Sequence, residues 1–226
     1  MYEGELITFL RKWHKAGRYP SMTVWPKTIT FGSQFWRSIR EIAAKTKAEQ
    51  VEYALSIFSV ENKIHTSKPF RGYSSKVETR HQITVKQTPL KNDRVEREIL
   101  IDDVSINKES MSRESAVKTK PVYSFLFNVH THPENKFGAD SLFGFFSETD
   151  INSFLNTGVM IMGLITDKLW LCCKTAESAK SLGENGREIL QGIGQQTLTG
   201  RDKELLANFK LAFYNAPFNG LMQRVL

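Results

Sequence analysis

His130 and His132, one residue apart in NVHTHP, are the side chains of this 226-residue sequence best suited to chemistry. At the end of a strand, residues two apart project from the same face, so both imidazoles can converge on one ion. Neutral imidazole is a common metal ligand, and Pro133 directly afterwards stops the strand and leaves the pair at its end. A structural or surface pair has the same spacing, so the histidines alone leave the matter open. Ser147-Glu148-Thr149-Asp150 follows, and S-x-x-D ahead of an apolar helix is a capping box. Capping does not exclude a second role. A helix N-terminus docked beside the histidines would offer Asp150 as a third, oxygen ligand and bring the Ser147 hydroxyl into the same space. Two nitrogens and one oxygen leave a fourth tetrahedral position for water, the open coordination of a catalytic zinc site.

Periodicity predicts the elements that must hold these groups. VYSFLFNVHTH from Val122 is almost continuously apolar up to its histidines, as expected of a buried central strand. Ser147 opens a helix to about Asn156, which Gly158 ends, and strands over 159–165 and 169–173 follow, joined by a turn at 166–168. Upstream, a helix is predicted over 5–15, a brief strand over 28–31, and a second helix after Gly32-Ser33 with Phe35, Trp36, Ile39, Ile42 and Ala43 on one face. VEYALSIFSV, 51–60, reads as a strand turned by Glu61-Asn62. The polar region 63–120 reads as an insertion or surface subdomain, with exposed strands in ETRHQITVKQ and REILIDD, a turn over 89–93 and a flexible loop over 107–118. Helical patterns over 176–193 and 201–214 finish the chain. The fold class expected is α/β (α+β), a mixed sheet flanked by helices.

HTHP at 130–133 followed by SETD at 147–150 resembles the JAMM metalloprotease motif of JAB/MPN domains, in which an upstream Glu precedes H-x-H-P and S-x-x-D. The order of elements agrees over roughly 28–174. The resemblance implies a JAB/MPN-like metalloprotease domain at 28–174 with an insertion around 63–120, an N-terminal helical extension at 1–27 and a C-terminal helical extension at 175–226. It also implies one Zn²⁺ per chain on His130, His132 and Asp150, with Glu52 as general base and Ser147 as donor to the oxyanion. Glu49 is the fallback for the base. The implied reaction is hydrolysis of a peptide or isopeptide bond in a ubiquitin-like or other protein substrate by metal-activated water. Two departures stand out. Leu55 and Ser59 occupy places where the family has small residues, often Gly, and the stretch between HTH and SETD is roughly twice the family's, a lengthening that costs little closure entropy. Within that stretch and at its end, Phe137, Phe143, Phe145 and Phe146 either meet substrate or pack beneath the domain.

The net charge of +7 favours encounters with anionic partners, either an acidic protein or nucleic acid. Its basic residues are scattered from Lys12 to Arg224 with acids between them, as on a generally solvated surface, whereas nucleic-acid footprints cluster. Two rival functions follow: a catalytically inactive MPN-type scaffold or protein-binding module, and a basic nucleic-acid-associated protein. The first twenty residues lack the pattern of an export signal, and the most apolar segment, 158–173, is broken by Thr166, Asp167 and Lys168, so no membrane span is expected. Cys172 and Cys173 are the only cysteines; adjacent in a strand, they diverge to opposite faces, which favours two buried thiols and a reducing cytoplasm. His14, His65 and His81 are expected to be surface or packing residues.

Overall fold

A computed structural model of the chain describes residues 1–73, 82–133, 145–178, 186–191 and 199–226. It is a mixed α/β structure. In chain order, α1 (Glu3–Lys15), β1 (Thr28–Ile29), α2 (Ser33–Glu49), β2 (Tyr53–Val60), β3 (Lys63–Thr66) and β4 (Phe70–Arg71) come first. The middle of the chain supplies β5 (Ile83–Pro89), β6 (Arg94–Ile101), β7 (Val104–Ser112) and α3 (Arg113–Lys118). Then follow β8 (Tyr123–Thr131), α4 (Glu148–Leu155), β9 (Ile161–Ile165), β10 (Leu169–Cys173), α5 (Gly186–Gln191), α6 (Gly200–Ala207), β11 (Ala212–Ala216) and β12 (Met222–Arg224).

Nine strands form one sheet in the order β1-β12-β11-β10-β9-β8-β2-β3, with β4 also paired to β2. All pairs are antiparallel except β8 with β9. A parallel pair needs a crossover, and α4 lies in the segment that joins β8 to β9. That connection starts at the C-terminal end of β8, where the two histidines stand.

The sheet is buried on both faces. One face packs against α1 and α2 through Leu6, Ile7, Leu10, Phe35, Trp36, Ile39 and Ile42; the other carries Phe145, Phe146, Ile151, Phe154, Leu206 and Phe209. Strand β10 shows the period of two directly: Leu169, Leu171 and Cys173 join the first cluster, Trp170 and Cys172 the second. The cysteines are therefore free, buried and on opposite faces, as the sequence predicts. Phe145 and Phe146 pack in the core, 3% and 1% exposed, whereas Phe137, Phe143 and His81 lie outside the described residues.

Helix α2 has no side-chain N-cap at Gly32. Glu3 binds the cap residue instead, its carboxylate accepting the Gly32 N–H at 2.9 Å and the Ile64 N–H at 2.7 Å. An anion there satisfies one orphan donor and complements the helix dipole. At the other end, Gln50 takes a left-handed conformation (φ 54°) that stops the helix and turns the chain into β2.

Three sequence expectations need correction. The helical pattern predicted over 176–193 opens as a turn at 176–177, and its described helix is α5. Residues 107–118 are not a loop: 107–112 complete β7, which pairs along β6, and Ser112 caps α3 by accepting the Ser115 N–H at 3.1 Å. The polar alternation of NKESMS carries little apolar signal because β7 is largely exposed in a separate three-stranded sheet, β5-β6-β7. The helical pattern predicted over 201–214 ends at Ala207, and 212–216 enter the main sheet as β11 beside β10. LAFYNA satisfies either period, and burial of Ala212, Phe213 and Tyr214 on both faces of the sheet decides for the strand.

Candidate metal centre

The antiparallel register between β2 and β8 pairs Ala54 with His130. Continued by two residues, it sets Glu52 opposite His132, on the same face as His130 and Ala54. The Glu52 backbone is fixed from the other side, its N–H donating to Tyr73 O and its C=O accepting the Gly72 N–H, each at 2.8 Å. His132 lies just beyond β8, and its N–H donates to Ile165 O on the parallel neighbour at 3.2 Å.

The first turn of α4 completes the group. Ser147 is its N-cap, with Oγ accepting the Asp150 N–H at 3.1 Å, while the Asp150 carboxylate reaches back to the Ser147 N–H at 2.8 Å. The Ser147 hydroxyl also donates to Asp150 Oδ2 at 2.8 Å. The capping box thus aims a carboxylate at the histidines. Lys174 holds the far end of α4: its ammonium, in a residue only 2% exposed, donates to the Leu155 carbonyl at 3.3 Å and to the Thr157 carbonyl. Burial pushes its pKa down.

His130 Nε2 and His132 Nε2 stand 3.2 Å apart, and each is 3.3 Å from an oxygen of Asp150, Oδ1 and Oδ2 respectively. Donor atoms bound at 2.0–2.1 Å to a tetrahedral zinc stand roughly 3.3–3.4 Å from one another, a spacing the two imidazole nitrogens match; the two Asp150 contacts come from different oxygens, and one ligand atom from each residue lies within 4.8 Å of the others. Burial acts to raise the Asp150 pKa, but the neighbouring histidines outweigh it and hold the carboxyl well below its usual range. Among the described residues, His130, His132 and Asp150 form a cluster that could hold a metal ion.

Glu52 is 5% exposed, and burial is the main cause of a pKa raised to about 7; His132 opposes the shift and Asp150 reinforces it. Glu49, the alternative base, faces elsewhere. Its carboxylate accepts from Tyr53 Oη at 2.6 Å and Arg71 Nε at 2.7 Å, and the Tyr53 hydrogen bond first, then Arg71, lowers its pKa. His14 is exposed and His65 half-buried in β3, neither of them in the cluster.

Two features escape a reading by motif. Ala54 is the small residue that faces His130, one place before Leu55. Thr131, between the histidines, points to the other face and bonds to α2 and β2. Its position inside HTH was the available signal.

Compared with known proteins, the chain matches no family model, no curated protein and no solved structure.

Proposed function

We propose that this chain is a JAMM-type zinc metallopeptidase with a JAB/MPN-like fold, which hydrolyses an isopeptide or peptide bond in a ubiquitin-like or other protein substrate. The observation that carries the reading is the meeting of His130, His132 and Asp150, with one ligand atom from each within 4.8 Å of the others, and the buried Glu52 carboxyl beside them. The order of motifs, H-x-H-P then S-x-x-D, supports it.

Zn²⁺ held by the three ligands supplies Lewis acidity, which lowers the pKa of a water from ~15.7 towards ~7. Glu52 takes the proton of the attacking water and passes it to the leaving amine, a shuttle that works best when the carboxyl titrates near the operating pH. Desolvation brings it to about 7, and a cation at the cluster acts in the opposite direction by favouring the carboxylate. Ser147 donates to the oxyanion, which requires its hydroxyl to turn from Asp150 Oδ2. That oxygen keeps the Ser147 N–H at 2.8 Å as its partner. Losing such a donor typically costs about 2.7–4 kcal/mol of transition-state stabilisation.

No helix among the described residues is long and apolar enough to cross a membrane, and the two buried free thiols suit a reducing cytoplasm. The net charge of +7 suits an acidic protein partner. The test joins metal analysis to cleavage of isopeptide-linked ubiquitin dimers and of a ubiquitin-peptide fusion. Wild type is expected to retain one zinc and cleave, Glu52→Gln to retain zinc without cleaving, and His132→Ala to lose both. Wild-type protein that holds no zinc after dialysis and cleaves nothing refutes the reading and leaves the scaffold alternative.

A further inference from the structure

Thr131 separates the two histidines in sequence, and its hydroxyl makes contacts that no metal ligand requires. The residue is 1% exposed. Its Oγ1 accepts the Tyr53 N–H at 2.8 Å, lies 3.3 Å from the Tyr53 carbonyl oxygen as donor, and meets Thr46 Oγ1 at 2.5 Å. Tyr53 and Thr46 are each 5% exposed, so these groups have little water to replace a lost partner.

The location of this bond gives it meaning. The backbone ladder between β2 and β8 has its last paired position at Ala54 and His130. Where the next pair would stand, a side-chain hydroxyl takes over the Tyr53 N–H. That N–H belongs to the same peptide group as the Glu52 carbonyl, which is itself held by Gly72 N–H. The Glu52–Tyr53 peptide is therefore gripped from two sides, by the chain after β4 and by Thr131. Thr46, in the last turns of α2, ties that grip to the helix. Because strand side chains alternate, Thr131 does this from the face opposite the histidines and leaves the ligand side open.

We propose that Thr131 is a positioning residue for Glu52: its hydroxyl fixes the Glu52–Tyr53 peptide against the HTH strand and so sets where the general base stands relative to the metal ligands. The proposal builds on the reading of Glu52 as the base. A hydroxyl is required there, not merely a β-branched shape. Valine fills the same volume but cannot accept from Tyr53 or bond to Thr46, whereas serine keeps the oxygen.

The experiment compares wild type, Thr131→Val, Thr131→Ser and Thr46→Val in three readouts: amide hydrogen exchange at Tyr53, Zn²⁺ affinity by chelator competition, and steady-state cleavage of isopeptide-linked ubiquitin dimers. Thr131→Val is expected to exchange faster at Tyr53, to bind zinc as wild type does, and to lose about 10- to 100-fold in kcat with KM unchanged, the scale of a misplaced catalytic group. Thr131→Ser should restore both kcat and Tyr53 protection. Thr46→Val, which leaves Tyr53 its acceptor, should show the same changes at smaller size, and it supplies the comparison if the valine variant at 131 does not fold. Unchanged Tyr53 exchange with unchanged kcat in a folded Thr131→Val or in Thr46→Val overturns the proposal, as does loss of zinc in Thr131→Val, because the hydroxyl would then serve the ligands and not the base. Wild type without zinc or cleavage refutes the proposed function instead. The exchange readout needs no metal and still decides whether Thr131 holds the Glu52–Tyr53 peptide.

Discussion

Glu52 makes the stability of the metal-free protein depend on pH. Its ordinary value is 4.5 and its folded value about 7, so folding favours the protonated form. The contribution is fully present below pH 4.5 and is lost as the pH rises through 7. In chelator, wild type should therefore lose about 3 kcal/mol relative to Glu52→Gln between pH 4 and pH 8. Urea denaturation at the two pH values checks this, and a difference between the two proteins that does not change with pH would count against a buried, perturbed carboxyl. The shared face of His130 and His132 could be read from spacing, since i and i+2 on a strand project together whatever the rest of the chain does; that Asp150 meets them could not, since SETD alone reads as a cap. Glu52 could not: nothing in VEYALSIFSV marks it apart from the family likeness, because the groups that hold and charge its surroundings, the Tyr73 carbonyl, His132 and Asp150, are all distant in sequence. Thr131 was visible as a residue, but its partners Thr46 and Tyr53 were not.

At the scale of elements, α4 and the β8/β9 pair place the carboxylate. Ser147→Ala removes the acceptor of the Asp150 N–H and the donor to Asp150 Oδ2, so thermal unfolding should show a loss of about 1 kcal/mol, typical of an N-cap. Gly163 faces Val129 across the parallel pair, one position before His130. A methyl there would stand 2.7 Å from Val129 Cγ2. Gly163→Ala should therefore destabilise by about 1–3 kcal/mol through overpacking, and Val129→Ala in the same chain should recover part of the loss. An additive double variant would mean that the two sites are not in contact. Elements with a single strong period, such as α2 and β10, agree with their patterns. The misreadings fall where the decisive partner lies elsewhere: β7 depends on β6, and β11 on β10. Local propensity cannot report a ladder whose other rail is many residues away.

For the molecule as a whole, the proposed function links metal binding to folding. A ligand that binds only the native state adds about 2.7 kcal/mol when its free concentration is a hundred times Kd. Zinc should accordingly raise the melting temperature of wild type and of Glu52→Gln but not that of His132→Ala, as differential scanning fluorimetry with and without chelator would show. The sheet separates two apolar layers, and β10 contributes one thiol to each, Cys173 towards α1 and α2 and Cys172 towards α4 and α6. Burial drives both thiols well above their ordinary pKa, so neither reacts while its layer is closed. The adjacent pair is thus a built-in double reporter. Pulsed alkylation in mild denaturant, followed by mass spectrometry of the single peptide that contains both, would reveal which side of the sheet lets solvent in first.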